Sequence, residues 1–403
     1  MTPARRLLML ALFLSPCGLR PLALAQVEAG PMPGQLPTLT PRTHEERERR
    51  YQAQHRITLN VEVFDGQGTF VSGLRLEDFT LLDNGQARKI DAVRAVESDL
   101  PAAHVHAILI LDTLNTTSKN IVFERKGIEK FLARNHSHLD YSVAVAVLSK
   151  MGLGVSHPSR DGNELISDLE RLSQGARAVP CAEVVGDGGS DKVSVDPSVV
   201  GLHGQIEIPT ESKRSRLAAC ENARFKLSVS QLNKLAREEA DALGRAIVIW
   251  VGRGWPLLSG LEFAPDTRSL KQSWFDYRVE LATALRESQI TLHAIAFPDK
   301  LADAEPHGDA DRALIHGVAS EEQASAASMA LPVLVHETGG LSLDFSEDIA
   351  DSIATCLGDA KAFYALTFDS SPALTSTEYH AIEVRVSQPG LKVRTNSSYY
   401  AQP

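Results

Sequence analysis

Ile57, Leu59, Val61 and Val63 alternate with Thr58, Asn60 and Glu62, a period of two that predicts a strand with one buried face. The turn-forming run Asp65-Gly66-Gln67-Gly68 follows, and a second apolar stretch, Phe79 to Leu82, ends at Asp83-Asn84-Gly85. An Asn-Gly pair tolerates the positive φ angles of a type I′ hairpin, so the chain is expected to return through Ala87 to Val96. Residues 57–100 therefore read as an N-terminal antiparallel β segment.

The pattern then changes. Val105 to Leu111 and Tyr141 to Leu148 are apolar runs of the kind expected of strands covered on both faces. Ile121, Ile128, Phe131 and Leu132 mark a helix between them, and Asp161 with Glu164 starts another that buries Leu165, Leu169 and Leu172. Leu232, Leu235 and Leu243 predict a helix running into a strand over Ala246 to Val251. Trp274, Tyr277, Leu281 and Leu285 make the next helix, and Ile290 to Phe297 the next strand. A helix ending at Thr338-Gly339-Gly340, a short strand over Leu341 to Phe345 and a helix capped by Ser346 complete the series. Strands alternating with helices imply a mostly parallel sheet covered on both faces, here over residues 101–360, with an aperiodic insertion at about 176–226. Residues 361–403 return to β structure: Phe363 to Phe368, His380 to Val386, and Leu391 to Tyr400 after a turn at Pro389-Gly390. Isolated hairpins are marginal in water, so the two terminal β segments are expected to pack on each other or on the α/β domain.

Composition alters this picture at the N-terminus. Arg5 and Arg6, the apolar run Leu7 to Leu14 and the small-residue site Ala23-Leu24-Ala25 read as a signal peptide over residues 1–25. A flexible, charged tether fills 26–56, and the mature protein is expected to be secreted or periplasmic. The apolar run falls well short of the roughly 20 residues a spanning helix needs, so no membrane span is expected. The chain carries 41 basic and 51 acidic residues. Cleavage removes three arginines and no acid, leaving a net charge of −13. That balance disfavours nucleic acid as a partner. Cleavage also discards Cys17, leaving Cys181, Cys220 and Cys356. Cys181 and Cys220 bracket the Gly, Ser and Asp-rich insertion and are expected to staple it, whereas Cys356 falls on an apolar helical stripe with Ile349 and Ile353 and reads as a buried thiol.

Five segments, in order, carry a resemblance. Leu59 to Gly68 with Val71-Ser72-Gly73-Leu74 and Glu77-Asp78-Phe79, then Leu111-Asp112-Thr113-Leu114-Asn115-Thr116, Ile249-Trp250-Val251-Gly252, Thr338-Gly339-Gly340, and Gly390 to Arg394 before Tyr399-Tyr400 resemble bacterial VWFA-related proteins, of the kind abundant in acidobacteria. The resemblance implies a Rossmann-like von Willebrand factor A domain flanked by β segments. It also implies a binding or adhesion module whose relatives hold one divalent cation, Mg²⁺, Ca²⁺ or Mn²⁺, through an Asp-x-Ser-x-Ser loop, a Thr and a second Asp.

Mapped onto this chain, Asp112 takes the first Asp and Thr116 the second Ser, which makes these two the metal candidates. Leu114 stands where the first Ser belongs, and Gly252-Arg253-Gly254 where the second Asp is often found. A guanidinium repels a cation. The site therefore reads as degenerate, and three arrangements stand: a cation on Asp112 and Thr116, an Asp112–Arg253 pair closed by Asn115, Thr116 and Thr117, or Asp112 as a simple cap of the strand-to-helix turn. All five residues are ligand-binding candidates for a protein partner. No Gly-x-Ser-x-Gly elbow or complete phosphate loop occurs, so no catalytic residue is assigned and the chain is read as non-enzymatic. A structural or assembly role in the bacterial envelope is the alternative, and an enzyme whose site is dispersed along the sequence a more remote one.

Overall fold

A computed structural model describes residues 55–97, 105–176, 178, 181, 190–193, 206–209, 211–240, 244–255, 268–296, 317–344, 348–370, 373 and 377–401. The proposed signal peptide and nearly all of the tether lie outside the described residues, as do Phe297, Phe345 and Ser346.

β structure opens the described chain with β1 (Arg56–Phe64), β2 (Phe79–Asp83), β3 (Gln86–Arg88) and β4 (Ala92–Glu97). The α/β part comprises β5 (Val105–Asp112), α1 (Ser118–Leu132), β6 (His138–Ser149), β7 (Gly152–Val155), β8 (Ser159–Asp161) and α2 (Gly162–Ser173). A two-stranded ribbon of β9 (Ser190–Val193) and β10 (Ile206–Pro209) precedes α3 (Glu211–Glu239) and β11 (Arg245–Val251). Then come α4 (Arg268–Glu287), β12 (Ile290–Ala296), α5 (Leu331–Glu337), β13 (Ser342–Asp344) and α6 (Ile349–Leu357). The chain closes with β14 (Ala362–Asp369), β15 (Glu378–Val386), β16 (Lys392–Arg394) and β17 (Ser398–Ala401).

The central sheet has the order β13-β12-β11-β5-β6-β7. β13, β12, β11, β5 and β6 run parallel; the hairpin partner β7 and the short β8 pair antiparallel with β6. Numbered by succession within the sheet this is 3-2-1-4-5-6, a doubly wound order. One face packs Ala107, Leu109, Ile247 and Ile249 under α1, α2 and α6, whose Ile128, Leu165 and Ile353 complete that core. Cys356 lies within it as a free buried thiol.

Among the described residues the terminal strands form two antiparallel four-stranded sheets, β16-β1-β14-β4 and β17-β15-β2-β3. Ile57, Leu59, Val61 and Val63 meet Leu81, Tyr364, Phe368, Val384 and Tyr399 in one shared core, so the two ends of the chain make a single two-sheet layer. The Asn84-Gly85 turn has the expected positive φ at both residues, 50° and 77°, and joins β2 to β3.

Five local expectations change. The return strand predicted from Ala87 to Val96 is two strands, because the chain leaves the β2 sheet after Arg88 and crosses to pair β4 with β14. The strand predicted from Leu391 to Tyr400 divides likewise: β16 pairs with β1 and β17 with β15, so Pro389-Gly390 switches sheets and closes no hairpin. β1 is covered on both sides, since its polar face carries the buried Glu62 and Asn60 against the α/β domain. Asp348 caps α6, its side chain accepting from the Ala350 amide at 2.9 Å. The helix predicted around Leu232 also extends back to Glu211, into the stretch read as insertion. Cys181 and Cys220 are joined, with 5.7 Å between their Cα atoms, and the bridge ties the start of the insertion to α3.

Candidate functional site

β5 and β11 are the two strands between which the sheet order reverses, and their C-terminal ends carry Asp112 and Trp250. In open α/β sheets the connections leave such a reversal point in opposite directions and open a crevice there. The candidate residues gather at this edge.

Asp112 is fully buried. Its Oδ1 accepts from the backbone amides of Leu114 and Asn115, both at 3.0 Å, and from the Asn115 amide nitrogen at 3.2 Å. Its Oδ2 accepts from the same nitrogen at 2.9 Å and from the indole N–H of Trp250 at 3.0 Å. Asn115 Nδ2 also approaches Ser228 Oγ on α3 at 2.9 Å, so the network spans β5, β11 and α3. Burial raises the Asp112 pKa, and the hydrogen bonds from Asn115 and Trp250 oppose that rise. Gly252, at φ 136°, brings backbone over the carboxylate: a Cβ there would stand 2.8 Å from Asp112 Cβ. Glycine is required at this crossing.

Thr116 turns from Asp112 to a residue absent from the sequence prediction. Its hydroxyl donates to Glu124 Oε1 on α1 at 3.3 Å. Glu124 is fully buried, and its second oxygen has no hydrogen-bond partner. Burial first, then the Asp112 charge, push its pKa up to about 8, against the lowering by Thr116. Glu124 therefore favours its protonated, uncharged form at neutral pH.

Thr117 is the exposed N-cap of α1, accepting from the Asn120 amide at 3.4 Å. Arg253 is exposed, whereas the partners of Asp112 are Leu114, Asn115 and Trp250. The Asp112–Arg253 pair considered from sequence is thus absent: the indole N–H occupies the place the guanidinium would have taken. Asp112 and Asn115 meet directly, Thr116 bonds to Glu124 instead, and Thr117 and Arg253 lie on the outer surface of the same edge. Around them, Val122 and Phe123 in the second turn of α1 are each 48% exposed, and Met151 at the β6–β7 turn is 87% exposed.

The donor set does not fit the divalent cation that the resemblance implied. A hard cation needs free oxygen lone pairs in its first shell. Here both Asp112 oxygens are met by N–H donors, and the apolar side chain of Leu114 is buried at the position of the first Ser. Trp250, Glu124 and Ser228 escaped the sequence reading. Glu124 left a signal, a carboxylate at i+3 from Ile121 and i−4 from Ile128 on the buried stripe of α1. Trp250 left none, because an indole inside an apolar run reads as core.

No family model matches the chain, and no curated protein matches it. Among solved structures, the human COPII-coat protein Sec24c is similar over 74% of this chain at 9% identity and a TM-score of 0.26. This chain spans 43% of that protein's length. The manganese-loaded TRAP protein of Plasmodium vivax is similar over 78% of this chain and 97% of its own, at 8% identity and a TM-score of 0.27. The strand pairing shows a mixed α/β architecture with a parallel-rich central sheet and flanking antiparallel sheets.

Proposed function

We propose that the protein is a secreted or periplasmic, non-enzymatic binding module that grips a protein partner with the C-terminal edge of a von Willebrand factor A-like sheet, without a metal ion. The observation that carries this reading is the convergence of the saturated Asp112 network with exposed apolar and cationic side chains at the reversal point of the sheet. The network holds the edge rigid. Met151, Val122 and Phe123 supply desolvatable area and Arg253 a directional charge, and Met, Phe and Arg are enriched at protein interfaces. The Cys181–Cys220 bridge supports an oxidising compartment. No helix among the described residues is long and apolar enough to cross a membrane.

The test is partner capture from an envelope extract of the producing cells, in EDTA. The expected result is a partner retained by the wild-type chain and lost on combining Arg253→Glu with Met151→Asp, two exposed substitutions that leave the core intact. Retention that is indifferent to both changes, or that requires added Mg²⁺, contradicts the reading.

A further inference from the structure

The opposite edge of the central sheet holds a second, unrelated cleft. β5 and β11 begin there, at Val105 and Arg245, and the face of the β16-β1-β14-β4 sheet turned toward the α/β domain closes over them. Between the two layers lies a cavity of about 380 Å³, at the small end of the range that accommodates small-molecule ligands. Its wall is mainly apolar, built from Val96, Val105, Phe363 and Ala365, and two arginines, Arg94 and Arg245, also line it.

The two guanidinium groups differ in their commitments. Arg245 is buried and saturated: it pairs with Glu62, donates to Thr291 Oγ1 at 2.8 Å and to the Asp359 carbonyl at 3.1 Å, and lies 4.7 Å over the Phe363 ring. Arg394 in turn pairs with Asp359, so two acids and two arginines balance beneath the cleft. Arg94 stands outside this balance. It projects from the edge strand β4, opposite Ala365 in the sheet register, is exposed, and has no carboxylate partner among the described residues. The cleft thus presents an apolar floor with one uncompensated, forked cation at its side.

We propose that this cleft binds a small monocarboxylate with an apolar body, the carboxylate bridged by Arg94 and the body lying against Val105, Phe363 and Ala365. A guanidinium recognises a carboxylate through two parallel charge-assisted hydrogen bonds, and the partly enclosed setting strengthens that pairing over one in open water. The apolar wall excludes inorganic anions as the preferred occupant, because they would desolvate without gaining contact.

Calorimetric titration with octanoate, and with octanol as its uncharged counterpart, tests the assignment on the full chain. Octanoate is expected to saturate one site and octanol to bind about tenfold or more weakly. Arg94→Gln, an exposed change that leaves the fold intact, is expected to lower octanoate affinity by about tenfold and leave octanol unchanged. Ala365→Leu, which fills the cavity, removes both, with an unaltered circular dichroism spectrum as its control. Equal affinity for acid and alcohol, octanoate binding unchanged in Arg94→Gln, or no saturable binding at millimolar octanoate would each overturn the proposal.

Discussion

Trp250 is the residue on which the candidate edge turns. Its indole N–H is the one donor from β11 to reach the buried Asp112 carboxylate, at 3.0 Å, and its ring packs edge-on against Trp255 with centroids 5.1 Å apart. Trp250→Phe keeps much of the ring and removes the donor. A hydrogen bond to a buried charge is worth about 2 kcal/mol, so chemical denaturation should show at least that loss. Glu124 makes the second prediction. Its folded pKa is raised from 4.5 to about 8, so between those values the native state keeps a proton that the unfolded chain releases. Stability therefore falls as pH rises through that window, by up to roughly 5 kcal/mol, and Glu124→Gln should flatten the profile. A wild-type profile that rises from pH 5 to 8 would exclude a buried, protonated Glu124. Asp112 and Asn115 were legible in the sequence because Leu111 to Thr116 resembles the end of the first sheet strand of VWFA-related proteins. Trp250 was not, since only the register of β11 against β5 shows which apolar residue meets that end.

At the scale of elements, hydrophobic periodicity identified the parallel strands of the central sheet and the amphipathic helices against it, because burial on one or both faces leaves a repeat in the sequence, but the short antiparallel β7 and β8 carry no such repeat and were missed. It did not show that two predicted strands divide. Lys89-Ile90-Asp91 and Thr395 to Ser397 each carry the chain from one sheet of the β layer to the other, and such a crossing depends on which strand waits on the far side. The Cys181–Cys220 pairing was legible from composition, and it clamps α3 to the start of the insertion. The two cysteines lie 39 residues apart, and replacing both with serine should destabilise the protein by about 3 to 4 kcal/mol in the chain-entropy treatment of such a loop. Thermal unfolding with and without the bridge measures this. An unchanged midpoint would mean that the segment is held by other contacts.

The whole molecule is an α/β domain held to a β layer that its own two ends build. Polar clamps join the two parts. One is the buried set of Glu62, Arg245, Asp359 and Arg394; in the other, Arg278 on α4 pairs with Glu337 at 2.8 Å and Glu337 accepts from Ser398 on β17 at 3.0 Å. Removing one partner of a buried pair strands the other charge. Arg245→Ala should therefore cost about 3 to 5 kcal/mol and loosen the β layer ahead of the α/β domain, visible as a split unfolding transition. None of these clamps was legible in the sequence, where Glu62 reads as the solvent side of a half-buried strand and Arg245 falls outside the predicted strand Ala246 to Val251. At the other end of the sheet the chain's own N–H donors occupy the carboxylate on which the implied cation would sit. Titration of the purified protein with Mn²⁺, followed by calorimetry, is expected to show no saturable binding at micromolar metal and no change on Asp112→Ala. Micromolar binding that Asp112→Ala abolishes would mean that the carboxylate holds a cation after all.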